Sequence, residues 1–159
     1  MNKINGKIIN RRAHYDYQIL EKFELGIVLY GWEVKSLRLG SASITNAHLS
    51  YNFPHVMIHN MHISAYEHER GYKKRSAQET DRSRIMLVRK NEKNKIMATH
   101  KLGGQTVVPL EVYWNKRGYA KVSCAIVCGK TEYDKRNTIK ERDWQREKLS
   151  ILKNRKMEF

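Results

Sequence analysis

Three histidines (His55, His59, His62), two cysteines (Cys124, Cys128) and the adjacent Asp134 and Lys135 are the residues whose types could do metal, thiol or acid–base chemistry. The three histidines would share a metal-binding face if residues 55–62 were helical. The flanking pattern favours a strand, where His55 and His59 lie about 13 Å apart and His62 points the other way. Cys124 and Cys128 also fall in a strand pattern, about 13 Å apart, whereas a disulfide needs Cα atoms within about 7 Å. Two free thiols suit a reducing, cytoplasmic setting. Asp134 beside Lys135 reads as solvated charge. No Walker-type glycine loop and no Gly-x-Ser-x-Gly elbow occurs. The sequence therefore predicts no enzyme, no catalytic residue, no metal and no cofactor.

What remains is charge. The 159 residues carry 31 Lys+Arg against 16 Asp+Glu, a formal net charge of +15. Such an excess on one small domain points to a polyanionic partner, most simply nucleic acid, with a membrane surface as the competing polyanion. The opening residues lack the apolar core of a signal peptide, and no run approaches 18 apolar residues, so no membrane segment is expected.

The elements that must position this charge are mostly strands. Residues 15–21 and 23–40 read as two short strands and a turn of helix. "GIVLYG" is an apolar run bounded by glycines, and "EVKSLRLG" is a short helix with Glu33, Lys35 and Arg38 facing outward and Gly40 as its stop. Residues 52–67 read as a turn followed by a strand, 68–82 as an exposed loop with Lys73-Lys74-Arg75, and 83–90 as another strand. Residues 91–102 fit a modest helix capped by Asn91. The clearest feature is a hairpin over 106–127. Val108, Leu110, Val112 and Trp114 alternate on one strand, and Ala120, Val122, Cys124 and Ile126 on the other. Pro109 donates no ladder bond and marks an edge or bulge. Lys121 and the turn residues Lys116 and Arg117 stand in water, and the two turn residues are candidate phosphate ligands. Short antiparallel strands at this spacing predict a mainly β fold, an OB-type antiparallel β-barrel of about six strands with small flanking helices. Residues 1–12 form a basic arm, 13–130 the barrel and 131–159 a tail.

The tail is the unusual part. Residues 130–148, "KTEYDKRNTIKERDWQREK", hold twelve charged residues of nineteen. Thr138 and Glu141 make a capping box, and Trp144, Ile151 and Leu152 share one side of a helical wheel. Burying three large side chains at about 1.5–3 kcal/mol each does not offset ordering some fifteen residues at about 1–2 kcal/mol each. The expectation is a segment disordered when free that becomes helical on an anionic partner.

Several stretches together resemble the small protein B (SmpB) family: "NRRAHYDY" (10–17), "GIVLYGWEVKSLRLG" (26–40), "NMHI" (60–63), "TVVPLEVYWNKRGYAKV" (106–122) and "YDKRNTIKERDWQREK" (133–148). The resemblance implies a barrel that binds the tRNA-like domain of transfer-messenger RNA (tmRNA). It also implies delivery with elongation factor Tu to stalled ribosomes, and a tail that takes the place of codon–anticodon pairing in the vacant mRNA channel. It assigns RNA contact to Asn10, Arg11, Arg12 and Tyr17, to Glu33, Lys35 and Arg38, and to Gly129 and Lys130. It places Tyr133, Asp134, Lys135 and Arg136 at the 16S rRNA decoding centre, and Trp144, Ile151 and Leu152 in the tail's accommodation step. For Glu33, three roles stand open: accepting from a base edge or ribose hydroxyl, orienting a neighbouring arginine, or favouring a helix start through the macrodipole. The chain departs from the family pattern at His14-Tyr15, and at Cys128 and Thr131, where two bases are missing from the RNA-facing edge. Two fewer phosphate contacts flatten the salt dependence of binding by roughly 1.4–1.8 in log–log slope. A generic OB-type RNA-binding or ribosome-associated protein is the alternative, and a monomer is expected.

Overall fold

A computed structural model describes residues 7–66, 76–101, 103–131, 134, 140, 143–144 and 146–148. In chain order the elements are β1 (Ile8–Ile9), α1 (Ala13–Asp16), β2 (Tyr17–Ile27), α2 (Gly31–Arg38), β3 (Ala42–Ser43), β4 (His48–Asn52), β5 (His55–His59), β6 (His62–Ile63), α3 (Ala77–Thr80), β7 (Arg84–Leu87), α4 (Lys90–Lys101), β8 (Gln105–Trp114) and β9 (Ala120–Gly129). Six of the strands close a ring in the order β8, β4, β5, β7, β2, β9, with β9 pairing back onto β8. All of these pairings are antiparallel. Closure removes the unpaired sheet edges that would otherwise invite aggregation. The predicted mainly β barrel of six strands with small helices is what the chain forms.

The strands bend through two register shifts, at Ile19/Glu21 in β2 and at Pro109/Glu111 in β8. The second lies where Pro109 cannot donate to the ladder. It also changes which side chains share a face, which corrects the expected alternation. Val112 enters the main core with Leu25, Leu37, Ile58 and Ile96, whereas Val108 and Leu110 join a smaller cluster with Ala13, Ala125 and Val127 under α1. A bulge residue inserts one position into a period of two, so parity flips beyond it.

Other expectations change in detail. The tract 15–27 forms one helical turn and one long strand instead of two short strands. The strand expected over 52–67 breaks at Asn60, which adopts a positive φ of 55° and separates β5 from β6. The helix α4 begins before Asn91, because Glu92 reaches back to accept the Arg89 N–H at 2.8 Å. Of the loop expected over 68–82, residues 68–75 lie outside the described residues. Ser76 caps α3, and Arg82 is held by a carboxylate described below. Lys121 is less exposed than expected, since its ammonium pairs with Glu24 at 3.0 Å.

Gly40 ends α2 as predicted. With φ of 76°, it donates to Leu37 O, and Ser41 donates to Ser36 O, the paired bonds of a Schellman stop. Gly26 serves a different purpose, since a Cβ there would sit 3.1 Å from Leu87 Cβ across the β2–β7 pair.

The tail residues beyond Thr131 within the described set are Asp134, Lys140, Asp143, Trp144, Arg146, Glu147 and Lys148. All are helical and exposed, and Trp144 keeps 65% of its surface in solvent. No helix among the described residues is long and apolar enough to cross a membrane.

Candidate nucleic-acid interface

The first candidate surface begins at the N terminus. The segment expected as a free arm is tied down from residue 8, where Ile8 and Ile9 pair with Val112 and Glu111 of β8. Asn10 follows and is 2% exposed. Its Nδ2 donates to Ile44 O and Pro109 O, and its Oδ1 accepts from the Ala13 N–H. The amide expected to meet RNA is thus spent on backbone. What it does is turn the chain so that Arg11 and Arg12 stand outward at the start of α1.

Arg12 donates from Nε to Asp16 at 2.7 Å with 64% of its side chain exposed. A pair so open contributes at most about 1 kcal/mol, so the guanidinium can exchange Asp16 for a phosphate. The end of β9 is stitched to this helix. Tyr17 pairs with Gly129, the Lys130 N–H donates to Asp16 O at 3.1 Å, and Lys130 Nζ donates to His14 O at 3.0 Å. A Cβ on Gly129 would meet nothing within 4 Å, so the fold itself makes no demand for glycine there. Beside these residues lies a polar cleft of about 380 Å³, walled by Arg12, Asp16, Tyr17, Asn46, His48 and Thr106. Asn46, His48 and Thr106 were not legible as site residues, because only the fold brings the 45–48 segment and β8 together beside α1.

The second surface is built on α2, and here the expected outward Glu33 is corrected. Glu33 is 0% exposed. Its Oε1 accepts from Arg84 Nε at 2.8 Å and Arg82 Nε at 3.0 Å, and its Oε2 accepts from Arg82 Nη2 and from the Tyr30 N–H. Of the three open roles, the structure supplies the orienting of arginines, together with a helix-start position in the first turn of α2. Arg84 is itself 0% exposed, and its other donors reach the carbonyls of Met61, Arg82 and Thr80. Burial pushes its guanidinium's pKa down, and Glu33 opposes that shift. Arg84 escaped the sequence reading. The signal was there: in "RIML" it takes the same inward parity as Met86, a basic residue facing a core.

Around this buried pair the other α2 cations lie on aromatic faces. Lys35 sits 5.3 Å from the Tyr66 ring centre, and Arg38 sits 5.2 Å from that of Trp114. Lys116 and Arg117 are exposed in the turn directly after Trp114. Eight of the expected RNA-binding residues therefore form two groups, while Asn10 and Glu33 are buried and Lys35 lies on Tyr66. Arg11, Arg12, Tyr17, Gly129 and Lys130 gather where Gln105 pairs with Cys128; Arg38, Lys116 and Arg117 gather where Trp114 pairs with Ala120. Nine strand steps separate these ends, about 30 Å. Among the tail residues expected to act on the ribosome, Asp134 and Trp144 are described. Tyr133, Lys135, Arg136, Ile151 and Leu152 lie outside the described residues.

The histidines and cysteines take other partners. No group of three His, Cys, Asp or Glu able to hold a metal ion occurs among the described residues. Cys124 and Cys128 are both unbonded, and burial pushes the Cys124 thiol's pKa up, which leaves it a neutral core group. The His59 ring lies between the Ser50 and Ser83 hydroxyls at 2.7 Å each and stacks on His48. Burial first, and His48 second, depress the His59 pKa below its usual value. The unfolded chain therefore takes up this proton first. The His59 contribution to stability is complete above about pH 6.5 and is lost as pH falls toward the lowered folded-state value. Urea midpoints will drop between pH 7.5 and 5.5, and His59→Gln will make that drop shallower. An identical pH dependence in the variant would refute the assignment.

Comparison with known proteins places these features. Residues 7–154 match the family model described as SmpB protein. The chain is 46% identical over 145 residues to the SsrA-binding protein of Wolbachia sp. subsp. Drosophila simulans (strain wRi), covering 91% of this chain and 95% of that one. It is 45% identical over 144 residues to the SsrA-binding protein of Anaplasma phagocytophilum (strain HZ), covering 91% and 94%. A solved structure described as "tmRNA-SmpB: a journey to the center of the bacterial ribosome" superposes with a TM-score of 0.64. It is 37% identical, over 80% of this chain and 86% of that chain.

Proposed function

The chain belongs to the SmpB family, and on that premise we propose that it is a tmRNA-binding protein of trans-translation, an adaptor with no reaction of its own. One observation carries the physical part of this reading: the arginine-bearing helix α1 and the end of β9 are stitched together at Lys130, where the tail begins. A barrel rim that grips RNA and a segment that reaches the ribosome thus share one root.

In this reading Arg11, Arg12 and Lys130 hold phosphates, Tyr17 offers an aromatic face, and the bare backbone at Gly129 lets the RNA approach closely. Lys35, Arg38, Lys116 and Arg117 extend the contact to the far end of the hairpin. Glu33 and Asn10 act through the residues they position. The RNA element gripped is the tRNA-like domain of tmRNA. The complex travels to stalled ribosomes with elongation factor Tu, and the protein works as a monomer in the cytoplasm. The tail, with Tyr133 to Arg136 at the decoding centre and Trp144, Ile151 and Leu152 along the mRNA channel, substitutes for codon–anticodon pairing.

A structured RNA held by phosphate contacts gives salt-dependent affinity. Arg12→Ala and Lys130→Ala will each weaken tmRNA binding and lower the log–log salt slope by about 0.7–0.9, without changing the preference for tmRNA over tRNA. Titrations with both RNAs from 50 to 200 mM salt measure this. Equal affinity of the wild-type protein for tRNA and tmRNA would overturn the proposal in favour of a generic OB-type RNA binder.

A further inference from the structure

We propose that the groove beside α2 receives one unstacked RNA base, with Tyr30 as the stacking platform, Arg82 as the cation beside its sugar–phosphate, and Gln78 at its polar edge. This inference rests on the RNA-binding reading above and names a contact that reading does not contain.

Tyr30 leaves 58% of its surface in solvent, so its ring has open area for a guest to stack on. The Arg82 guanidinium lies 4.0 Å from its ring centre. Both are fixed by one buried group. Glu33 holds Arg82 through two bonds and the Tyr30 backbone through a third, while Arg84 locks Glu33 from the core side. A ring and a cation already oriented in this way lose little further freedom on binding. Between them and α3 lies a groove of about 570 Å³, lined by Tyr30, Trp32, Ser76, Gln78, Glu79 and Arg82. That is room for a nucleotide, within the range of ordinary ligand pockets.

The chemistry of the wall selects among occupants. Arg82 already covers one side of the ring, so a cationic guest is disfavoured. The carboxylate of Glu79 accepts from the Ser76 N–H and is committed to capping α3. Gln78 is exposed, and its amide can donate and accept together, as a base edge requires. A flat aromatic, a guanidinium and a carboxamide are the groups by which proteins hold splayed-out bases.

The test uses full-length protein with two probes: tmRNA, and a penta-adenylate carrying one 2-aminopurine. Wild type and Tyr30→Phe are expected to quench the 2-aminopurine. Tyr30→Ala and the size-matched Tyr30→Leu are expected to abolish the quench and weaken tmRNA binding roughly 5- to 100-fold, the range of a single base stack. Thermal melts of Tyr30→Leu will match wild type, and this variant decides the matter if the alanine variant is unstable. Arg82→Lys, which cannot keep both bonds to Glu33, will weaken binding while leaving part of the quench. Wild-type quenching and tmRNA affinity in Tyr30→Leu would overturn the inference and leave the functional reading intact. A Tyr30-dependent quench in a protein that binds tRNA and tmRNA equally would overturn the functional reading and leave this site standing.

Discussion

Replacing Glu33 with glutamine will destabilise the protein by about 3–5 kcal/mol, the cost of leaving a buried charge without its partner. Both Glu33 and Arg84 have no exposed side-chain surface, and Arg84 has no other anion within its bonding set, which otherwise consists of three carbonyls. For a chain of this size the loss lowers the melting temperature by roughly 6–20 °C. Arg82→Ala will cost less, about 1.5–3 kcal/mol, because Glu33 loses its two bonds to Arg82 but keeps Arg84 and the Tyr30 N–H. The double replacement Glu33→Leu with Arg84→Met will recover only part of the single-variant loss: it removes the unpaired buried charge but leaves the carbonyls of Met61, Arg82 and Thr80 without their donor. Urea unfolding of the three proteins measures this. A Glu33→Gln variant as stable as wild type would show that the pair is not the internal strut described here. Any loss of RNA binding on changing Glu33 is accordingly to be read together with its melt, since this carboxylate reaches RNA through Arg82 and through the fold.

The second large effect concerns the tail. A chain ending at Thr131 will melt like the full protein and bind tmRNA within about tenfold of it at 150 mM salt, the change expected when distant positive charge is removed. It will fail to support tagging of stalled nascent chains. The reasoning is local: every described tail residue is exposed, and the ion pair Asp143–Arg146 lies within the tail itself. Trp144 leaves 65% of its surface uncovered on the barrel, so its indole is available for a surface elsewhere. Trp144→Ala alone will reduce tagging while leaving tmRNA affinity and the melt unchanged. In vitro tagging on ribosomes stalled without a stop codon tests both, and undiminished tagging by the truncated chain would defeat the division of labour.

How far the sequence reached depended on the distance over which each signal acts. The β8–β9 hairpin was legible because alternation, a four-residue turn and a bulge-forming Pro109 are all local. The Gly40 stop was legible for the same reason. Alternation alone puts Leu110 with Val112, but the parity flip after Pro109 sets it with Ala13 and Val127. Glu33 looked like a surface acid on a wheel whose spacing could not show the partner 51 residues away. Asn10 and the two arginines after it looked like a free arm, because the carbonyls that bind Asn10 lie 34 and 99 residues on. The barrel itself was inferred from strand count and charge. Its closure between β4 and β8 rests on one pair, Leu49 with Val107, which no local pattern announces.

The most direct test of the account is to purify the full-length protein from its own cells at moderate salt and sequence the RNA that remains bound. tmRNA will dominate that RNA, far above its cellular share, and the chain ending at Thr131 will retain the same enrichment. A bound pool that mirrors total tRNA or rRNA, with tmRNA at no more than its cellular proportion, would contradict it.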